Sequence, residues 1–137
     1  MMIVNGTDVL NASVWGQTGL TVLANTTYYF STWVASVTPS APAELSFSIN
    51  GSSVGSLIAT ADGGWNQFYA TWNSGSNTTA NLNLVNLNLA KSGNDFALDN
   101  ISMSATAPVP EPETYALMGL GLVGLMAARR RKLQATK

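Results

Sequence analysis

From Glu44 onward Leu45, Phe47 and Ile49 alternate with polar residues until Asn50-Gly51, after which a second run of small and apolar residues begins. Successive side chains of a strand point to opposite faces, so this spacing predicts a half-buried strand that leaves through a two-residue hairpin turn. The same grammar extends over residues 1–107. Leu20–Leu23, Tyr28–Val37, Glu44–Ile49, Ser53–Ala59, Trp65–Trp72, Ala80–Leu89 and Asp95–Ser104 are rich in β-branched, aromatic and alternating residues. Turn chemistry separates them at Asn25-Thr26-Thr27, Pro39 to Pro42, Asp62-Gly63-Gly64, Asn73 to Asn77 and Ser92-Gly93-Asn94. No helical periodicity competes before residue 108. Seven strands at roughly ten-residue spacing predict an all-β antiparallel sandwich, with Phe30, Leu45, Phe47, Ile49, Leu82, Leu84, Leu98 and Ile101 in its core.

Two strands switch parity partway along. Leu82 and Leu84 share one face whereas Val85, Leu87 and Leu89 lie on the other, and Phe96 and Leu98 likewise precede Ile101 and Met103. A bulge near each switch keeps all of these residues in one core; a strand buried on both faces is the alternative.

Composition removes most chemistry. The chain has 137 residues, of which 9% are charged, with no Cys and no His, against about 25% charged in an ordinary globular chain. Disulfides, thiolate or imidazole metal sites, Ser-His-Asp triads and Cys nucleophiles are excluded. Thirteen Asn, with many Ser and Thr, supply the polarity instead. Four Trp, four Tyr and four Phe give apolar area that a disordered chain lacks. Residues 1–109 hold Lys91 as their one cation against Asp8, Glu44, Asp62, Asp95 and Asp99, so the body is not a nucleic-acid binder, which needs a basic surface.

The other basic residues lie in the tail. Tyr115 to Ala128 is an uncharged run of fourteen residues, preceded by Pro108-Val109-Pro110-Glu111-Pro112-Glu113 and followed by Arg129-Arg130-Arg131-Lys132. As a helix the run spans about 21 Å, short of the roughly 30 Å hydrocarbon core. Snorkelling and local thinning make up the difference, and the basic cluster places the C-terminus in the cytoplasm and the body outside. A buried C-terminal helix is the alternative, although such a helix rarely ends in four cations. Gly119, Gly121 and Gly124 spell G-x-G-x-x-G, but with no preceding strand and no room for the acidic ribose ligand this is no dinucleotide fingerprint.

The order Pro110-Glu111-Pro112, Gly- and Leu-rich helix, Arg129 to Lys132 resembles the PEP-CTERM sorting signal of exopolysaccharide-producing Gram-negative bacteria, also called an ice-binding protein C-terminal domain. The resemblance covers about residues 108–132. Beside the sandwich read over 1–107, it implies a Pro/Glu linker over 108–113 and a single transmembrane helix with its basic stop over 114–132, leaving a tail over 133–137. It also implies a partner, exosortase, that cleaves near Pro110-Glu111-Pro112. The exported body is then held at the inner membrane, C-terminus cytoplasmic, until it passes to the cell surface or extracellular matrix.

The body resembles galactose-binding-like and carbohydrate-binding-module jelly rolls in Tyr28-x-Phe30-x-x-Trp33-Val34-Ala35, Leu45-x-Phe47-x-Ile49-Asn50-Gly51, Trp65-x-x-Phe68-x-x-x-Trp72 and Phe96-Ala97-Leu98-Asp99-Asn100-Ile101. Many members of that superfamily bind sugar and others use the fold as a spacer. Met1 to Asp8 lacks the parts of a signal peptide and resembles the interior of such a jelly roll, so a truncated N-terminus is expected.

Candidate binding residues follow. Trp15 and Trp72 are candidates for stacking on a pyranose ring, Trp72 above all because it borders the polar Asn73 to Asn77 turn; core packing is the competing role for each. Trp65 and Tyr69 share one parity, Phe68 and Trp72 the other, so one pair packs inside and the other faces out. Asp95 and Asp99 are the candidates for a structural calcium implied by the jelly-roll resemblance, against a role as turn and surface carboxylates. No other cofactor is expected. As a glycosidase pair they are poor, since nothing marks an acid and a nucleophile. Six Asn-x-Ser/Thr sequons begin at Asn5, Asn11, Asn25, Asn50, Asn77 and Asn100. Three classes of function survive: an exported polysaccharide-binding protein without enzymatic activity, a purely structural or adhesive matrix protein, and, remotely, a hydrolase.

Overall fold

The structure, a computed structural model, describes residues 1–109 and 112–135. It divides into two compact units, Met1–Ala107 and Pro108–Lys137. The first is built of eight strands: β1 (Met2–Val4), β2 (Ser13–Thr21), β3 (Thr27–Ser36), β4 (Glu44–Ile49), β5 (Ser52–Ile58), β6 (Asn66–Asn73), β7 (Thr79–Asn86) and β8 (Phe96–Ser104). They form two four-stranded sheets, ordered β1-β8-β3-β6 and β2-β7-β4-β5, and every pairing is antiparallel. The expected two-sheet sandwich is the observed one.

Alternation decides which side chains meet between the sheets. In β4 Leu45, Phe47 and Ile49 are buried while Glu44, Ser46 and Ser48 are half-exposed. The β4–β5 hairpin turns at Asn50 (φ 50°) and Gly51 (φ 78°), the pair of positive φ values that a twist-matched two-residue turn requires. In β3 Phe30, Thr32, Val34 and Ser36 point inward. The two hydroxyls among them are satisfied: Thr32 Oγ1 donates to the Asp99 carbonyl at 3.1 Å, and Ser36 Oγ accepts from the Ala43 amide at 2.8 Å. Of the expected core, Phe30, Leu45, Phe47, Ile49, Leu82, Leu84 and Leu98 are buried, and Ile101 is partly buried against them.

The two parity switches resolve differently. Along β8, Trp33 pairs with Asp99 and Ser31 with Ser102, so three steps of β8 oppose two of β3. The extra residue is Asn100, at φ 49°, and beyond this bulge Ile101 and Met103 turn toward the core. In β7 the register with β4 is unbroken from Leu82 to Asn86. There is no bulge in β7; Asn86 takes the inward position, fully buried, the strand ends there, and Leu87 and Leu89 are exposed beyond it. β1 was not among the seven expected strands, and β2 begins seven residues earlier than Leu20.

Phe47 from one sheet stacks on Phe68 from the other, with ring centroids 3.8 Å apart and planes 9° from parallel. Phe47→Ala is expected to destabilise the fold by about 3–5 kcal/mol, measured by denaturant unfolding, and an unchanged midpoint would contradict its place in the core.

Candidate functional site

The outer surface of the β1-β8-β3-β6 sheet gathers most of the notable side chains. Tyr29, Ser31 and Trp33 have the outward parity of β3. Cross-strand pairing sets Thr71 and Ser104 opposite Tyr29, Tyr69 and Ser102 opposite Ser31, and Gln67 and Asp99 opposite Trp33. The Tyr29 and Tyr69 rings stack with centroids 6.4 Å apart and planes at 26°. At the far end Trp33, Trp65, Asp99 and Asn100 line an open depression of about 280 Å³.

Local structure explains how each wall is held. Trp65 follows a turn in which Asp62 Oδ1 accepts from the Thr60 hydroxyl at 2.5 Å and the Gly64 amide at 2.9 Å. Asn66 Nδ2 closes the same turn by donating to the Gly64 carbonyl at 2.8 Å. The Thr60 hydroxyl, then the Gly64 amide, hold the Asp62 carboxyl below its ordinary value. Asp99 and Asn100 sit at the β8 bulge, and Asp99 Oδ1 lies 2.9 Å from the Met1 amine. That ammonium, followed by the Asn100 amide, keeps the Asp99 carboxyl below its ordinary value as well.

Trp72 lies elsewhere. With Phe68 and Ala70 it has the inward parity of β6, and its half-buried ring packs against the core beside Tyr28, centroids 6.1 Å apart. The neighbouring Asn73 to Asn77 turn uses its own polar groups: Asn73 Oδ1 accepts from the Gly75 amide at 2.9 Å and Asn77 Nδ2 donates to the Ser74 carbonyl at 2.8 Å. Ser74, fully buried, donates to the Leu23 carbonyl. Trp15 is half-buried and also packs against the core. Of the two aromatic pairs in residues 65–72, Phe68 and Trp72 pack inside, and Trp65 and Tyr69 are exposed by 44% and 49%.

Asp95 and Asp99 do not converge. Asp95 Oδ1 accepts from the Gly6 amide at 2.9 Å, and four extended residues put the two carboxylates about 13 Å apart along the chain, too far for one ion with ligands at about 2.4 Å. Among the described residues no three His, Cys, Asp or Glu side chains gather around one point.

The second unit contains α1 (Pro112–Ala135). Gly119, Gly121 and Gly124 lie inside it, which confirms that their spacing is no phosphate-binding loop. Arg129 and Arg130 are exposed on its last turns, where cations suit the helix dipole. Pro110 and Glu111 of the sorting motif lie outside the described residues, as do the side chains of Pro112, Arg131 and Lys132. Among the described residues no helix is long and apolar enough to cross a membrane. A helix is present where one was expected.

Comparison with known proteins agrees with this division. Residues 108–132 match the family described as the PEP-CTERM protein-sorting motif. The sandwich is similar to the C-terminal domain of EclA, a sugar-binding protein, at 17% identity and a TM-score of 0.61, covering 67% of this chain and 66% of that one. It is also similar to the CBM22-1-CBM22-2 tandem domain of Paenibacillus barcinonensis Xyn10C, at 22% identity and a TM-score of 0.51, covering 71% of this chain and 32% of that one. The chain thus spans just under two thirds of the EclA domain's length. No curated protein matches the chain. The sandwich thus shares a jelly-roll fold with these solved structures, and the match to the sorting motif is confined to residues 108–132.

Because the folded-state carboxyl of Asp62 is depressed, its stabilising contribution is present above the ordinary carboxylate value and is lost as pH falls through the folded one. Thr60→Val removes the largest cause. The Asp62 side-chain resonance, followed by NMR, is expected to titrate at higher pH in that variant.

Proposed function

We propose that this chain is a non-catalytic exported protein, sorted and cleaved through its PEP-CTERM motif and placed at the surface or in the extracellular matrix of a Gram-negative bacterium, where its sandwich binds polysaccharide. The observation that carries this reading is the joining, in one chain, of a sorting motif over 108–132 to a sandwich with the fold of carbohydrate-binding modules. In this mechanism the proline-rich segment presents Pro110-Glu111-Pro112 to exosortase. The helix holds the chain at the inner membrane only until cleavage. Its uncharged run, Tyr115 to Ala128, spans about 21 Å, less than the roughly 30 Å hydrocarbon core, so the anchor relies on local thinning of the bilayer. A short uncharged run suits a temporary anchor better than a permanent one.

The absence of enzymatic activity in this reading rests on the carboxylates. Asp95 accepts from the Gly6 backbone amide and lies four extended residues from Asp99 along the chain, so the two do not face each other across a cleft as a glycosidase pair does. Binding, by contrast, needs a surface with aromatic rings and neutral donors and acceptors. Trp15 and Trp72 remain candidates through the parts of their rings left at the surface. A purely structural or adhesive matrix role is favoured by one observation, the Asn73 to Asn77 turn whose amides are consumed internally.

Mass spectrometry of the surface-exposed protein from an exosortase-bearing host tests the sorting step. A mature C-terminus near Pro110 is expected; recovery of surface protein still carrying Arg129 to Lys132 would overturn it.

A further inference from the structure

Resting on the polysaccharide-binding reading, we infer that the binding site is the outer face of the β1-β8-β3-β6 sheet. Its ligand is a chain of neutral pyranose rings lying along β3 from Tyr29 to the Trp33–Trp65 depression. Four aromatic rings occupy this one surface, and Trp65 and Tyr69 are the exposed aromatic side chains among the described residues. The opposite outer face presents Ser46 and Ser48 of β4 and Asn81 and Asn83 of β7, with no outward aromatic ring on either strand, while Trp15 of β2 is half-buried against the core. Large rings left half in water forgo burial that the core would have rewarded. Rings wet on one side, interleaved with hydroxyl and amide groups, match the apolar C–H faces and hydroxyl edges of a sugar chain.

Charge selects the ligand. Asp99 is the carboxylate beside the depression. Gln67, Thr71, Ser102 and Asn100 are neutral, and Lys91 is the sole basic side chain in residues 1–109. An anionic polymer meets a like charge and no basic side chain there, whereas a neutral one meets donors and acceptors. Length selects it further: Tyr29 and Trp33 are about 13 Å apart along the strand, a distance spanned by an oligosaccharide and not by one ring.

Isothermal titration of the full chain in detergent micelles is the test, with xylan and hydroxyethylcellulose as neutral polymers and polygalacturonate as the anionic one. Binding to a neutral polymer is expected, insensitive to salt and weakened about tenfold by Tyr69→Ala or Trp65→Ala, at unchanged melting temperature. Thr71→Glu, which places a bulky charge beside Tyr29 without altering any ring, is expected to weaken it as well and serves if a ring variant fails to fold. Neutral-polymer binding that survives these changes but is lost in Trp15→Phe or Trp72→Phe refutes this face and leaves the polysaccharide reading intact. Binding confined to polygalacturonate refutes the neutral ligand. Absence of binding to all three polymers overturns both readings, and a Tyr69-dependent dimer in sedimentation would then identify the face as a contact between copies.

Discussion

The fold depends on three phenylalanines that lock the sheets together. Phe47 of β4 and Phe68 of β6 are stacked at 3.8 Å, and Phe30 of β3 stands 6.0 Å from each. Stacked sheets lie about 10 Å apart, so the gap between them is only filled when side chains of both interdigitate. Gly55 shows how little slack remains. It sits opposite Phe47 with φ 143°, and a Cβ at that position would come within 3.1 Å of the Phe68 ring. A side chain there would press on that ring and strain the backbone at this φ.

Once Phe68 and Ala70 are committed inward, Gln67, Tyr69 and Thr71 have no choice but to face out. The outer aromatic surface is in this sense a consequence of the inner one. The bulge at Asn100 adds the second constraint. It satisfies the core by turning Ile101 and Met103 inward, and the same irregularity brings Asp99 and Asn100 to the rim beside Trp33 and Trp65. An Asn at φ 49° is tolerated where most side chains are strained.

What was legible in the sequence follows the same physics. The β4–β5 hairpin was readable because Asn50-Gly51 has one favoured turn geometry, and the β8 bulge because a parity switch between apolar residues has few other solutions. β7 misled because Asn86, a polar residue, occupies a core position that parity arguments reserve for Leu87. β1 escaped notice because Met2–Val4 is too short for alternation to register. The outward pair Trp65 and Tyr69 was readable as one of two choices of face. Their meeting with Trp33 and Tyr29 was not, since it depends on the register between strands more than thirty residues apart. Trp72 attracted attention because of its polar neighbours, yet those neighbours are polar in order to close their own turn.

Three of the six sequons acquire a structural origin on the same terms. Asn11, Asn25 and Asn50 have positive φ, and Ser13, Thr27 and Ser52, their third residues, each open a strand, as Thr79 of the Asn77 sequon also does. Asparagine closes the turn, and a hydroxyl residue two positions on starts the next strand, so the motif recurs as punctuation. A surface built this way is wetted by amides and hydroxyls in place of charges. The cations are segregated accordingly. In the proposed sorting step, cleavage near Pro110 removes five of the six basic residues with the helix, so the basic cluster that orients the chain during export is gone from the body that reaches the matrix.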